Sequence, residues 1–189
     1  VGGTLTFTHG GALTLPISVP ITRDNVDEDD ESFTVALSNA SNAGIYIGVG
    51  AGTIIDDDTA VVSIDSVTQA EGDSGTSSFG FTVSLSVPAA SVREFVVHTS
   101  DLTATAGSDY VGIPVVPGQL VQFPPLNISQ PVVVTVNGDT DVEPDESFEV
   151  RVSPVAGAIE GGPPVLATGI GTILNDDVQI DVAINDASV

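Results

Sequence analysis

The chain has no Cys, no Met and no Trp, and its basic residues are three Arg with no Lys. Each absence closes off a class of chemistry. Without Cys there is no disulfide framework, no thiolate metal site and no Cys nucleophile. Three positive side chains stand against 26 Asp and Glu, for a formal charge of −23. Phosphate backbones and anionic membrane surfaces need a basic footprint, so the charge argues against nucleic acid and anionic membrane surfaces as partners. No uninterrupted apolar run reaches the roughly 18 residues of a membrane span. Acidity does not mean disorder here, because 41% of residues are hydrophobic, and Val, Ile and Leu alternate regularly enough to build a core.

What is present is a repeat. Gly3 to Phe33 realigns without a gap on Gly118 to Phe148, an offset of 115 residues. Each copy then runs into an acidic stop, GTIIDDD ending at Asp58 and GTILNDD ending at Asp177. A fixed period implies a modular array. It divides the chain into residues 1–58, the C-terminal half of one repeat; 59–177, a complete repeat; and 178–189, the first strand of a following repeat. The first piece would supply the last four strands of its sandwich.

Strand signals dominate, as short alternating runs punctuated by Gly, Pro, Asp and Ser. In the complete repeat they predict strands at 60–67, 77–86, 93–99, 119–123, 131–137, 147–153 and 165–174. Phe79, Phe81, Val83 and Leu85 fall on one face, as do Val132, Val134 and Val136, and Phe148, Val150 and Val152. Phe33, Val35 and Leu37 are the counterparts of the last set and are expected in a core. Seven short strands predict an all-β chain of tandem immunoglobulin-like seven-stranded antiparallel β-sandwiches.

Four acidic segments stand out: Glu71 in AEGDSG, Asp109 in TATAGSDY, the run Asp139 to Glu146, and Asn175, Asp176 and Asp177. Any one of them reads most simply as a solvated turn. In a seven-stranded sandwich, however, alternate turns share an end, so these segments converge and bring at least six carboxylates together. Their repulsion calls for a counterion. Calcium meets the demand as a hard cation taking roughly 6 to 8 oxygens in flexible geometry.

The succession AEGDSG, TATAGSDY, GDTDVEPDESF and GTILNDD resembles the Calx-beta repeat in segment content and order. The resemblance implies a Ca2+ site at one end of the sandwich. Carried over by motif position, its ligands are Glu71, Asp109, Asp139, Asp141, Glu143, Glu146, Asp176 and Asp177, with Asn175 standing where a third Asp is usual. The earlier copy keeps Asp24, Glu28, Glu31, Asp56, Asp57 and Asp58 and lacks the segments matching Glu71 and Asp109.

Competing signals are weaker. Asp73 to Thr76 spell DSGT, but no second copy exists to share a proton with Asp73. His9 and His98 lie beside no serine motif. Gly48 to Gly52 lead into a strand and so lack a helix dipole for phosphate. The run from Asp139 lacks the Gly and flanking helices of an EF-hand. Asn39 and Asn127 head N-x-S sequons.

The sequence therefore predicts no enzyme. It predicts a Ca2+-dependent structural or adhesive module of an extracellular or cell-surface array, its ions fixing the angle between repeats. The partners expected are neighbouring repeats, further copies joined into a filament by strand donation, and a cell-surface or matrix receptor. A calcium-sensing regulatory domain and the accessory region of a secreted enzyme are the alternatives.

Overall fold

The computed structural model describes residues 2–155 and 167–178, in two compact units. The smaller comprises Val1–Asp24 and Glu31–Ile54; the larger comprises Asn25–Asp30 and Ile55–Val189. Among the described residues there is no helix, so none is long and apolar enough to cross a membrane.

The larger unit is the sandwich. Its strands are β3 (Val62–Ile64), β4 (Val67–Ala70), β5 (Gly75–Leu85), β6 (Arg93–Asp101), β7 (Gln119–Phe123), β8 (Ser129–Gly138), β9 (Glu146–Pro154) and β10 (Ala167–Leu174). One sheet has the order β3-β5-β8 and the other β4-β10-β9-β6-β7. Alternation sets the core: Phe79, Phe81 and Val83 of β5, Val132, Val134 and Val136 of β8, and Phe148, Val150 and Val152 of β9 are all buried. Phe148 lies at their centre. Its ring stacks on Tyr110 at 4.4 Å and meets Phe79 and Phe81, from the opposite sheet, at 6.1 and 6.2 Å. On β10 the paired residue must be glycine, because a Cβ on Gly171 would stand 2.3 Å from the Phe148 ring.

Two expectations need correction. The predicted strand at 60–67 is two strands in different sheets, so eight are described where seven were expected, and β4 pairs with β10 in parallel. The cause is local. Asp65 and Ser66 interrupt the run with side chains that take over ladder bonds: Asp65 Oδ1 accepts from the Thr82 N–H at 2.7 Å and Ser66 Oγ from the Ile170 N–H at 3.0 Å. Gly169 lets the crossing chain approach, since a Cβ there would lie 2.1 Å from the Asp65 carbonyl.

The second correction concerns residues 1–58. Of the four strands expected, only β1 (Glu31–Ala36) and β2 (Val49–Ile54) are described, as an antiparallel pair. The complete repeat shows why. There β9 and β10 pair with each other, whereas β7 and β8 pair with β6 and β5. Residues 1–58 contain counterparts of β7 to β10 and none of β5 or β6, so the two self-sufficient strands form and the other two find no ladder. For the same reason Phe33 and Val35 are half-buried and Leu37 exposed, where a core was expected. The pairing of Phe33 with Gly52 nevertheless repeats that of Phe148 with Gly171. Of the strand expected at 178–189, Val178 is exposed coil, and residues 179–189 lie outside the described residues.

Residues 25–30 belong to the larger unit through Asp27. Its carboxylate pairs with Arg93 at 3.0 Å and accepts from the Ala60 N–H at 3.0 Å. Its backbone bonds to Pro88 and Ala90.

Phe148→Ala removes the ring on which three other aromatics rest, and truncations of this size cost about 3 to 5 kcal/mol. Chemical denaturation should show that loss with divalent cations present or chelated. A loss below about 1 kcal/mol would mean that the core collapses around the deletion.

Candidate metal centre

Four segments meet at one end of the sandwich: the β4–β5 turn, the β6–β7 loop, the β8–β9 loop and the tail after β10. Hydrogen bonds and close backbone packing hold them there. The Glu71 N–H bonds to the Leu174 carbonyl at 3.3 Å, and the Gly72 N–H to Asp176 Oδ1 at 3.0 Å. Gly138, the last residue of β8, packs so closely on this turn that a Cβ would lie 2.0 Å from the Gly72 carbonyl. Asn137 ties β8 to the β6–β7 loop: its N–H reaches the Asp109 carbonyl at 2.8 Å and its Nδ2 the Ser108 carbonyl at 2.6 Å. Beneath that loop, Asp101 Oδ1 accepts from the buried Tyr110 hydroxyl at 2.5 Å and from the Ala106 N–H at 3.0 Å.

This framework gathers two groups of carboxylates. Glu71, Asp176 and Asp177 place one oxygen each within 4.8 Å of one another, and so do Asp109, Glu143 and Glu146. These are the two such groups among the described residues. Asp139 stands close enough for its charge to be felt by Glu71, Glu143 and Asp177, and Asp141 for its charge to be felt by Glu143 and Asp177. The Asp141 N–H turns back onto Asp139 Oδ1 at 2.8 Å. Asn175 lies between the groups, its Oδ1 accepting from the Glu143 N–H at 3.3 Å.

The earlier copy's carboxylates are arranged differently. Asp24 and Glu31 belong to the smaller unit and are exposed. In the larger unit, Asp56 Oδ2 accepts from the Glu28 N–H at 3.2 Å and Oδ1 from the Asp58 N–H at 3.4 Å, while Asp57 is exposed. Sequence reasoning passed over Asp101, Asn137 and Asp145, which hold or orient the loops. The equivalence of Asp145 with Asp30 at the repeat offset was a signal for the last of these.

The electrostatics are one-sided. Glu71 is only 5% exposed, and burial, then the charges of Asp139, Glu143, Asp177 and Asp176, push its pKa up to about 7. Glu146 is likewise pushed up to about 7 by burial and by its hydrogen bond to Asp109. Burial also works to raise Asp109, but hydrogen bonds from the Thr105 backbone, Ser108 and Glu146 outweigh it and leave that carboxyl low. Burial and neighbouring carboxylates raise Glu143 and Asp177 as well. No positive side chain answers them: the ion pairs among the described residues are Arg93 with Asp27 and Arg151 with Glu149.

Asp177 Oδ2 is buried and has no hydrogen-bond partner, alone in this among the described side-chain atoms. A buried carboxylate oxygen in such company fits a hard cation.

The Calx-beta domain model matches residues 1–59 and again 56–177. The chain belongs to the Calx-beta domain family. Solved structures similar to this Calx-beta chain include CBD12 from CALX1.2, at 28% identity and TM-score 0.48, covering 61% of this chain and 45% of that one. Calcium binding domain CBD12 of CALX1.1 aligns at 27% identity and TM-score 0.49, covering 62% of this chain and 45% of that one. The apo-form Calx CBD1 domain aligns at 25% identity and TM-score 0.44, covering 61% of this chain and 98% of that one. The chain thus spans less than half the length of the CBD12 structures it matches. No curated protein aligns significantly with it.

The raised carboxyls make a pH prediction. Glu71 and Glu146 have ordinary values of 4.5 and folded values of about 7, so between these limits the folded state binds more protons than the unfolded one. Stability then falls as pH rises through the window. With divalent cations chelated, the melting temperature should rise on acidification from pH 7.5 to pH 5.5. A fall over that range would contradict the assignment.

Proposed function

We propose that this chain is a calcium-binding structural module of a tandem Calx-beta array, in which Ca2+ neutralises the acidic end of a sandwich and stiffens its junction with the next repeat. The observation that carries this reading is the buried, unpartnered Asp177 Oδ2 among carboxylates with no basic residue to answer them. Glu71, Asp176 and Asp177 would hold one part of the bound charge and Asp109, Glu143 and Glu146 the other, with Asp139 and Asp141 beside them. Bound Ca2+ would supply positive charge and take these carboxylate oxygens as ligands. The protein's share is to hold the carboxylates together on loops pinned by Asn137, Gly138 and Asp101.

An extracellular or cell-surface setting suits the ligand set. Extracellular modules bind calcium at about 10⁻⁴ to 10⁻³ M, a range in keeping with exposed ligands such as Glu143 and Asp176. In that setting the module serves adhesion or spacing, and calcium converts mobile junctions into rigid ones.

A ligand that binds only the folded state stabilises it by about 2.7 kcal/mol at a hundredfold excess over Kd. Millimolar Ca2+ should therefore raise the melting temperature, and chelator should reverse the rise. Glu143→Gln and Asp109→Asn should each weaken calcium binding in calorimetric titration while the apo protein remains folded. A wild-type melting temperature indifferent to calcium, with no heat of binding, would remove the proposal.

A further inference from the structure

Asn175 makes three bonds. Its Oδ1 accepts from the Glu143 N–H at 3.3 Å, its Nδ2 donates to the Asp177 carbonyl at 3.1 Å, and its backbone N–H donates to Asp145 Oδ1 at 3.2 Å. The earlier copy builds the same device from different atoms. Asp56 Oδ2 accepts from the Glu28 N–H at 3.2 Å, and the Asp56 N–H donates to Asp30 Oδ1 at 3.0 Å. Glu28 and Asp30 stand 115 residues before Glu143 and Asp145, and Asp56 precedes the matching Asn175 in the acidic stop. Two bonds are thus conserved between the copies although one side chain is an amide and the other a carboxylate.

The third bond differs, and the difference follows from chemistry. A carboxylate has no hydrogen to give, so Asp56 Oδ1 accepts from the Asp58 N–H, at 3.4 Å. The amide of Asn175 donates instead, and meets the carbonyl of Asp177, the residue matching Asp58. Donor partners on Oδ1 and an acceptor on Nδ2 fix the amide's orientation. Each loop before β1 or β9 is in this way tied by hydrogen bonds to the tail that follows β2 or β10.

We infer that Asn175 is a clasp, a positioning residue that joins the acidic loop to the acidic tail and not a cation ligand, and that Asp56 makes the same two backbone bonds in the earlier copy. Building on the calcium reading, the clasp in the complete repeat presents Glu143 and Asp177 to the ion while contributing no charge of its own. The amide also spares the cluster one carboxylate.

Asn175→Ala and Asn175→Asp in the whole chain test this, with melting in chelator and calcium affinity as separate readouts. Asn175→Ala removes both side-chain bonds, so the melting temperature in chelator should fall by several degrees and calcium affinity should drop with it. Asn175→Asp keeps the acceptor for Glu143 but loses the donor for Asp177 and adds a charge. It too should melt lower in chelator, yet gain more from calcium than the wild type does. Asn175→Ala that melts like wild type in chelator while losing calcium affinity would make Asn175 a ligand and overturn the clasp. Indifference of both readouts to Asn175→Ala would overturn it as well. Should the wild type itself ignore calcium, the calcium reading fails, and the melting series in chelator still decides the clasp.

Discussion

Repulsion among carboxylates at one end of the sandwich is the constraint on which the rest of this structure turns. Like charges in a partly desolvated place cost more than on an open surface, and the protein's own remedy, a Lys or Arg among them, is absent. Two responses are visible. Glu71 and Glu146 hold protons up to about pH 7, which reduces the charge. The backbone amides of Gly72, Thr105, Asp141 and Asn175 turn toward carboxylate oxygens and spread what charge remains.

Neither response lets the loops move apart, because the scaffold beneath them is apolar and tightly packed. Tyr110 shows the coupling. Its ring is buried against Phe148, while its hydroxyl, raised to about 12 by burial and by Asp101, anchors the loop that carries Asp109. Gly138 brings the start of the acidic run against the Glu71 turn at a distance that no other residue would allow. Core and site are therefore one construction, and a change at Phe148 would be felt at Asp109.

The smaller unit shows the same rules under incomplete conditions. Its strands β1 and β2 keep the Phe33 to Gly52 pairing found at Phe148 and Gly171. Yet Ile17, Val19 and Ile21, which match Val132, Val134 and Val136 by the repeat offset, are exposed where those valines are fully buried. The same apolar alternation gives a strand in one case and none in the other: residues 17–21 have no counterpart of β5 to pair with, and Pro20, where the complete repeat has Thr135, offers no N–H to a ladder.

Much of this was legible in the sequence. The period of 115 residues, the alternation of Phe79, Phe81 and Val83, and the four acidic segments follow from spacing alone, so the buried faces of the complete repeat and the family resemblance could be read without coordinates. Three things could not. That 60–67 would divide between two sheets depended on Asp65 and Ser66 meeting Thr82 and Ile170 across the fold. That the acidic segments would sort into two groups of three, with Asn175 bonded between them, depended on loop conformations that spacing leaves open. Composition determined that the chain would be a β-rich polyanion, because alternation and charge are properties of the residues themselves. Only the tertiary structure decided which carboxylates would face one another, because that rests on contacts between segments as far apart as Glu71 and Asp177.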